Sequence, residues 1–370
     1  MVLSQRLSVL AWILLPCVTS FVFFPTKTLP LSSVSLHGTT LGDESSSASY
    51  LATCIPGLSQ CLADELVEIH PDITDITVSG NAAVTFAATR EASLHVLCWT
   101  RTAHRVLELV ASTSNPELYD RNDLHSFIDR EVDVKSLLGD GQGGLLSLSV
   151  KAILNNPRHI PQDLSHSHYT ALTIKNALCD IVRDMRGDRP DVDIDNPDVP
   201  LVAMLLGNSN GGASISLFKS LHPPGSLHKR GYRQGVIHKA AMKESLAAGL
   251  LRESGWHEKL RTAKEEDDYR LRLIDPMCGS GSLVLEAAMM ATDIAPGLMR
   301  IRCHVPNHSS PPVTRWKSEI DAEMLWKQVG NKNIISIYFL SSLHSVSPSL
   351  SLCFYAKVPS RCNQTGQKWS

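Results

Sequence analysis

The chain predicts an α/β fold in which mixed α+β modules lead into a strand, glycine turn and helix of the nucleotide-binding type. Three observations carry this. The run Leu271-Arg272-Leu273-Ile274-Asp275 is a short strand-like segment that ends in an acid. It crosses a turn holding Gly279 and Gly281 and enters an apolar helical pattern through Glu286-Ala287-Ala288. Upstream, helical and strand-like periods succeed one another without an internal repeat. Bare glycines let the backbone turn sharply and let a ligand come close. Free N–H groups at the helix start favour a negative group such as a carboxylate.

Taken in order, Gly57 to Ile69 places Leu58, Cys61, Leu62, Leu66 and Ile69 at helical spacing, and Ile73 to Phe86 reads as a strand pair around Ser79-Gly80-Asn81. Ser93 to Val110 is helical or mixed, and a loop follows through Asn115-Pro116. Leu145 to Ile153 is a strand, Tyr169 to Met185 an amphipathic helix, and Gly187 to Pro200 an Asp- and Pro-rich loop. Val199 to Leu206 and Ala213 to Phe218 pair as a hairpin. In the helix His238 to Glu253, Met242, Leu246, Gly249 and Leu250 share a face, and Gly255 can end it. Glu265-Glu266-Asp267-Asp268 is an acidic linker before the strand.

The turn fits none of three common patterns. No Gly-Lys-Ser/Thr follows, so it is not a phosphate-cradling loop; Val284 stands where a dinucleotide fingerprint needs its third glycine. Cys278 and Ser282 replace the glycines that would flank a nucleophilic Ser280. Cys278 itself reads as a small packed residue or, less simply, as a nucleophile. On pattern alone a ligand-binding turn and a purely structural one both stay open.

The surrounding residues are more specific. Asp275-Pro276-Met277-Cys278-Gly279-Ser280-Gly281-Ser282-Leu283, then Glu286-Ala287-Ala288-Met289, Ala291-Thr292-Asp293 and Ala295-Pro296-Gly297, resemble motif I of the THUMP-domain RNA methyltransferases. The nearest likeness is to the bacterial large-subunit ribosomal RNA guanine methyltransferases. Leu227-His228-Lys229-Arg230-Gly231-Tyr232-Arg233 and Lys243-Glu244-Ser245-Leu246-Ala247-Ala248 resemble that family's entry into its catalytic domain. Arg189-Pro190-Asp191-Val192-Asp193 is similar to part of its THUMP domain, and Ala52-Thr53-Cys54 with Leu62-Ala63-Asp64-Glu65-Leu66 to its opening strand and helix. Ser282 stands where the family usually has threonine.

The resemblance implies methyl transfer from S-adenosylmethionine to the exocyclic amino group of a guanine in large-subunit ribosomal RNA. Asp275, Pro276, Cys278, Gly279, Ser280 and Gly281 would line the methionine end of that cofactor. No metal is needed, since the sulfonium carries its own leaving group; alignment and charge stabilisation are the enzyme's tasks. The implied division is a signal peptide at 1–20, a transit-like leader at 21–48, a ferredoxin-like module at 49–92 and a THUMP RNA-binding domain at 93–220. The N-terminal part of a Rossmann-like class I methyltransferase domain at 221–329 and an unrelated low-complexity tail at 330–370 complete it.

The likeness has gaps. Neither an acid for the ribose hydroxyls nor an Asn-Pro-Pro-Tyr motif is found, so no catalytic residue is assigned. Pro223-Pro224 and Pro311-Pro312 are not followed by an aromatic residue. Trp316, Asp321, Glu323 and Trp326 keep some likeness, which stops near Val329. The Ser- and Leu-rich text around Ser341 to Leu352, partly strand-like in its alternation, matches nothing in the family. It is expected to be a gene-prediction artefact or the mark of a truncated product. The alternative function is therefore a catalytically dead RNA-binding protein that keeps its THUMP domain.

Met1 to Gly42 holds no Asp or Glu; Arg6 precedes an apolar run from Leu7 to Leu15, and small residues follow at Val18-Thr19-Ser20. The run is too short for a membrane span and has the layout of a cleavable signal. Phe21, Phe23, Phe24 and a hydroxyl-rich stretch then resemble two-part leaders for plastids with extra membranes; a plain secretory signal is the alternative. No stable membrane association is expected of the mature protein.

Composition suits a soluble multi-domain chain: 370 residues, 43% hydrophobic and 19% charged. The net charge of -2 is a mild argument against nucleic-acid binding. Locally, Lys229, Arg230, Arg233, Lys239 and Lys243 run without an acid until Glu244, with Tyr232 among them to stack on a base. Lys229, Arg230, Tyr232 and Arg233 are thus the candidate RNA contacts, against a solvated loop as the bland reading. The nine cysteines form no C-x-x-C, and His159, His166 and His168 read as a surface loop rather than a metal site.

Overall fold

A computed structural model describes residues 47–113, 118–141, 143–195, 197–209, 211–222, 226–230, 241–265, 270–297, 339–341 and 352–357. The leader, the residues 266–268 of the acidic linker, and Tyr232, Arg233, Lys239, Trp316, Asp321, Glu323 and Trp326 lie outside them.

The first unit runs β1 (Ala48–Thr53), α1 (Ser59–Ile69), β2 (Ile73–Val78), β3 (Ala83–Ala88), α2 (Arg90–Trp99) and β4 (Arg105–Ser112). Its strands order β2-β3-β1-β4, all antiparallel, which is the ferredoxin-like arrangement. Alternating residues of the sheet and one face of each helix make its core: Tyr50, Leu62, Leu66, Val84, Phe86, Val96 and Val106 are buried together. Tyr50 stacks on Phe86 with ring centroids 5.3 Å apart. Thr89 caps α2 by accepting the Ala92 N–H at 3.3 Å.

A module boundary between residues 92 and 93 therefore does not hold. It would cut α2 and detach β4, whose Arg105 to Glu108 pair with β1. The stretch Ser93 to Val110 looked mixed because it is the end of one helix and most of a strand.

The second unit holds α3 (Arg121–Glu131), α4 (Val134–Leu138), β5 (Leu148–Asn155), α5 (Ser167–Arg186), β6 (Val199–Gly207) and β7 (Ala213–Ser220). Asp120 and Asp123 start α3 with a reciprocal capping box. Helix α5 crosses between the parallel pair β5–β6 and ends at Gly187, φ 83°. β6 and β7 form the expected hairpin, with Gly207 opposite Ala213. A Cβ on Gly207 would lie 2.7 Å from Asn156 O and from Ile160 N, so only glycine lets the preceding loop close over this strand end. β7 pairs with β4, and the two units share one seven-stranded sheet, β2-β3-β1-β4-β7-β6-β5.

The third unit contains α6 (Glu244–Glu253), α7 (Trp256–Glu265), β8 (Arg270–Asp275) and α8 (Ser282–Ala291). The face expected for α6 holds in part: Gly249 is buried and Leu246 packs half-buried on the core of the first unit, but Met242 precedes the helix and is 37% exposed, and Leu250 is 43% exposed. The buried residues of the helix are Glu244, Ser245, Ala247, Ala248, Gly249 and Leu251. Small residues let α6 come close to its neighbours; a Cβ on Gly249 would press on the Leu58 side chain at 2.4 Å. Gly255, φ 74°, follows the helix as expected.

The 330–370 stretch, expected to be unrelated low-complexity text, supplies β9 (Phe339–Ser341) and β10 (Leu352–Lys357). β10 pairs antiparallel with β8, Leu352 opposite Asp275, in a three-stranded sheet β8-β10-β9. The motif strand thus has an antiparallel neighbour here. Among the described residues no helix is long and apolar enough to cross a membrane.

Candidate cofactor turn and the charged core behind it

Strand β8 delivers Asp275 to the turn, where its Oδ1 accepts the Met277 N–H at 3.1 Å. Gly279 and Gly281 both take left-handed backbone, φ 49° and 75°. That conformation costs an L side chain about 1–2 kcal/mol, and here it explains the glycine spacing. The Gly281 N–H closes the turn on Cys278 O at 2.7 Å. Gly281 is also the N-cap of α8 and makes no side-chain cap hydrogen bond, and the positive end of the helix dipole faces the turn.

Pro276, Gly279 and Ser280 are exposed, and Asp275 is half-buried. Cys278 is buried, which favours its reading as a packed residue over a nucleophile. Ser282 is buried and donates to Met242 O at 3.1 Å, tying the turn to the approach of α6. Ile274 and Met277 lie 63% and 88% exposed beside it.

Behind the turn stands a charged core. Arg230 and Glu286 are both 0% exposed, and Arg230 Nε lies 3.3 Å from Glu286 Oε1. The same guanidinium donates to Leu227 O at 2.8 Å and to Arg101 O. Arg101 in turn donates to Ile294 O at 2.7 Å, and burial holds its guanidinium below the usual range. Glu65 of α1 accepts from Thr100 Oγ1, from the Thr102 hydroxyl and from the backbone N–H of Arg101 and Thr102, fixing this loop from below.

Arg230 is thus not an RNA contact. Its head group is enclosed, and it bonds the ferredoxin-like unit to α8. Lys229 beside it is exposed and remains available. The glutamate that sequence reasoning left unused, Glu286, is the partner that explains Arg230; the only local signal was an acid inside an otherwise apolar helix.

Next to this core, His104 shares a 2.7 Å contact with Ser245 Oγ, and its ring lies 5.4 Å from that of His228. Burial pushes His228 down to about 4, with His104, Lys243, Arg230 and Lys229 adding to the effect. Burial likewise lowers His104. Elsewhere, burial pushes the thiols of Cys54 and Cys61 up to about 11 and about 12, which leaves them unreactive.

At the head of α5, His166, His168 and Tyr169 form an exposed ring cluster, with centroids 4.7 Å apart for His166–Tyr169 and 5.6 Å for His168–Tyr169. Arg121 lies over Tyr169 at 5.8 Å.

Three family profiles match successive parts of the chain. The RlmL ferredoxin-like domain matches residues 49–107, the THUMP domain residues 159–210, and the RMKL-like methyltransferase domain of UPF0020 residues 230–337. The chain belongs to the THUMP-containing methyltransferase family. The methyltransferase profile runs past Val329, where the likeness was expected to stop.

Relatives of this family member include the ribosomal RNA large subunit methyltransferase K/L of Hydrogenovibrio crunogenus, 29% identical over 78% of this chain and 36% of that protein. A putative RNA methyltransferase of Synechocystis is 32% identical over 67% of this chain and 56% of that protein. The K/L enzyme of Syntrophotalea carbinolica is 33% identical over 68% of this chain and 31% of that protein. The chain therefore spans between 31% and 56% of these relatives' lengths.

A possible methylase from Clostridium difficile has the same fold, with TM-score 0.56 at 21% identity over 78% of this chain and 65% of that one. A putative methyltransferase solved as a complex with SAH gives 0.54 at 19% identity over 77% and 64%.

Proposed function

We propose that this THUMP-family chain serves the S-adenosylmethionine-dependent methylation of the exocyclic amino group of a guanine in large-subunit ribosomal RNA. The observation that carries the reading is the turn at 275–281: left-handed glycines, an uncapped helix start and an adjacent carboxylate, within the family's methyltransferase domain. These groups fit a zwitterionic amino-acid tail. The positive end of the α8 dipole suits its carboxylate, Asp275 suits its ammonium, and the exposed bare backbone of Gly279 permits close approach, with Gly281 buried beneath to close the turn. The donor supplies an electrophilic methyl carbon on its sulfonium. Pro276, Ser280 and Cys278 shape the remainder of the turn, and Ser282 anchors it from beneath.

Support for RNA as the partner comes from the THUMP match and the relatives' names. The Arg121–Tyr169 pair with His166 and His168 offers a stacking surface at the head of α5, and Lys229 an exposed cation, both suited to a nucleic-acid strand. We also propose that the leader sends the chain to a plastid. A fluorescent reporter fused to Met1–Gly42 checks this, and its secretion would remove the proposal.

Equilibrium dialysis of the full-length product with labelled S-adenosylmethionine tests the main reading. Retention is expected, with a clear loss on Asp275→Asn. A folded product that binds ribosomal RNA yet never takes up the donor would overturn it.

A further inference from the structure

His70 is distant in sequence from Glu91 and His95, and the three meet on the helical side of the ferredoxin-like unit. His70 is the residue that ends α1. Glu91 lies in the first turn of α2, and His95 follows one helical turn later on the same face. The two imidazole centroids stand 5.0 Å apart with the rings tilted by 56°. One donor atom from each of the three side chains lies within 4.8 Å of the other two. Ligands of a tetrahedral ion at its usual bond lengths stand about 3.3 Å apart. Small rotations of these side chains would therefore close the set, and their partial exposure permits such rotations.

We propose that His70, Glu91 and His95 form a binding site for a divalent transition-metal ion of the zinc class. Two imidazoles and a carboxylate suit zinc, cobalt, nickel or copper, whereas magnesium and calcium require an oxygen-rich shell. Asp72 stands where outer support would come from: its Oδ2 lies 3.8 Å from His70 Nδ1, which now accepts the Asp72 backbone N–H at 3.2 Å. Binding of the ion through Nε2 would shift the proton to Nδ1 and turn that nitrogen into a donor to the carboxylate. Three protein ligands leave a coordination position open. Both histidines line a cavity of about 570 Å³ shared with Trp99, Arg252 and His257, through which a small ligand can reach that position. The bound ion would pin the end of α1 to the start of α2. This inference is independent of the proposed methyl transfer, whose donor needs no metal.

The full-length chain, treated with chelator, is titrated with zinc by calorimetry and with cobalt by its visible absorption. One saturable site per chain is expected, with cobalt bands of a four- or five-coordinate ion and no comparable uptake of magnesium. His70→Ala and His95→Ala should each weaken binding by about tenfold or more, and Glu91→Gln should weaken it less. His125→Ala, an exposed histidine of α3 outside the cluster, should leave zinc affinity unchanged. Absence of saturable uptake, or stoichiometric binding that survives in the His70→Ala/His95→Ala double variant, would overturn the site. Should the histidine variants fail to fold, Glu91→Gln decides: unchanged zinc affinity there removes the proposal.

Discussion

Helix α8 has two ends of opposite chemistry. Its N-terminus rests on a left-handed glycine, carries no side-chain cap, and stands beside the exposed Ile274 and Met277. A turn further on, Glu286 is sealed from water against Arg230, and the chain beyond it docks on α2. The front presents an exposed turn and the positive end of a helix dipole, while the back holds a buried charge pair and close-packed backbone. One continuous motif thus encodes both access and anchorage. Disturbing the back should cost stability, and disturbing the front should cost ligand binding.

The largest expected effect lies at the back. Arg230→Met removes one member of a fully buried ion pair and strands the other, which costs about 3–5 kcal/mol. Urea denaturation measures it. The double variant Arg230→Met/Glu286→Leu should recover part of the loss, because no charge is then stranded, while the Leu227 and Arg101 carbonyls still lose their donor. A single-variant loss below about 1 kcal/mol would mean that water reaches the pair and that the contrast between the two ends is weak.

Gly297 tests the same anchorage through shape. A Cβ there would lie 2.5 Å from Cys98 Cα and 2.8 Å from Leu97 O, and backbone cannot step aside as a side-chain tip can. Gly297→Ala is expected to cost about 1–3 kcal/mol in the same denaturation experiment. Gly279 belongs to the front, where a Cβ meets nothing nearer than Met277 O at 4.0 Å. Its cost is conformational, about 1–2 kcal/mol from the left-handed φ. Retention of S-adenosylmethionine in dialysis should fall further in Gly279→Ala than in Gly297→Ala. Equal losses would erase the distinction.

The contrast also marks what could be read from the letters. Period and turn chemistry are local, so the α1 spacing of Cys61, Leu62 and Leu66, the turn at Gly80, the β6–β7 hairpin and the motif's strand–turn–helix were all legible. The end of the ferredoxin-like unit was not, because Ser93 to Val110 changes from helical to extended period at Thr100. The α6 face was misjudged because Leu250 points outward while Leu251, Ala247 and Ala248 pack. Arg230 sits in a basic run and looked like a surface cation. Its partner is 56 residues away, and no local pattern announces a contact made by tertiary packing.

Acid should loosen the back before it touches the front. His228 is held down to about 4 when folded, against an ordinary value near 6.5. Between these values the unfolded chain binds a proton that the folded chain refuses. Stability is therefore whole above pH 6.5 and declines as pH falls toward 4. His104, also lowered by burial, should add to the decline. Denaturation midpoints measured across this window should slope less steeply in His228→Asn; an unchanged slope would assign the acid sensitivity elsewhere.

The smallest change in stability is expected at Lys229, beside the residue with the largest. Lys229 is exposed while Arg230 is enclosed, although the two adjoin in the chain and carry the same charge. Lys229→Ala should alter stability by less than about 0.5 kcal/mol. If RNA passes this face, the same change should weaken binding of ribosomal RNA fragments and lower the salt dependence of that binding by about one counterion. Arg230→Met/Glu286→Leu, once refolded, should leave the salt dependence where it was, because an enclosed guanidinium releases no counterion. Should the double variant shift the salt slope and Lys229→Ala leave it fixed, the buried pair would have to open when RNA binds, and the back of α8 would belong to the binding surface after all.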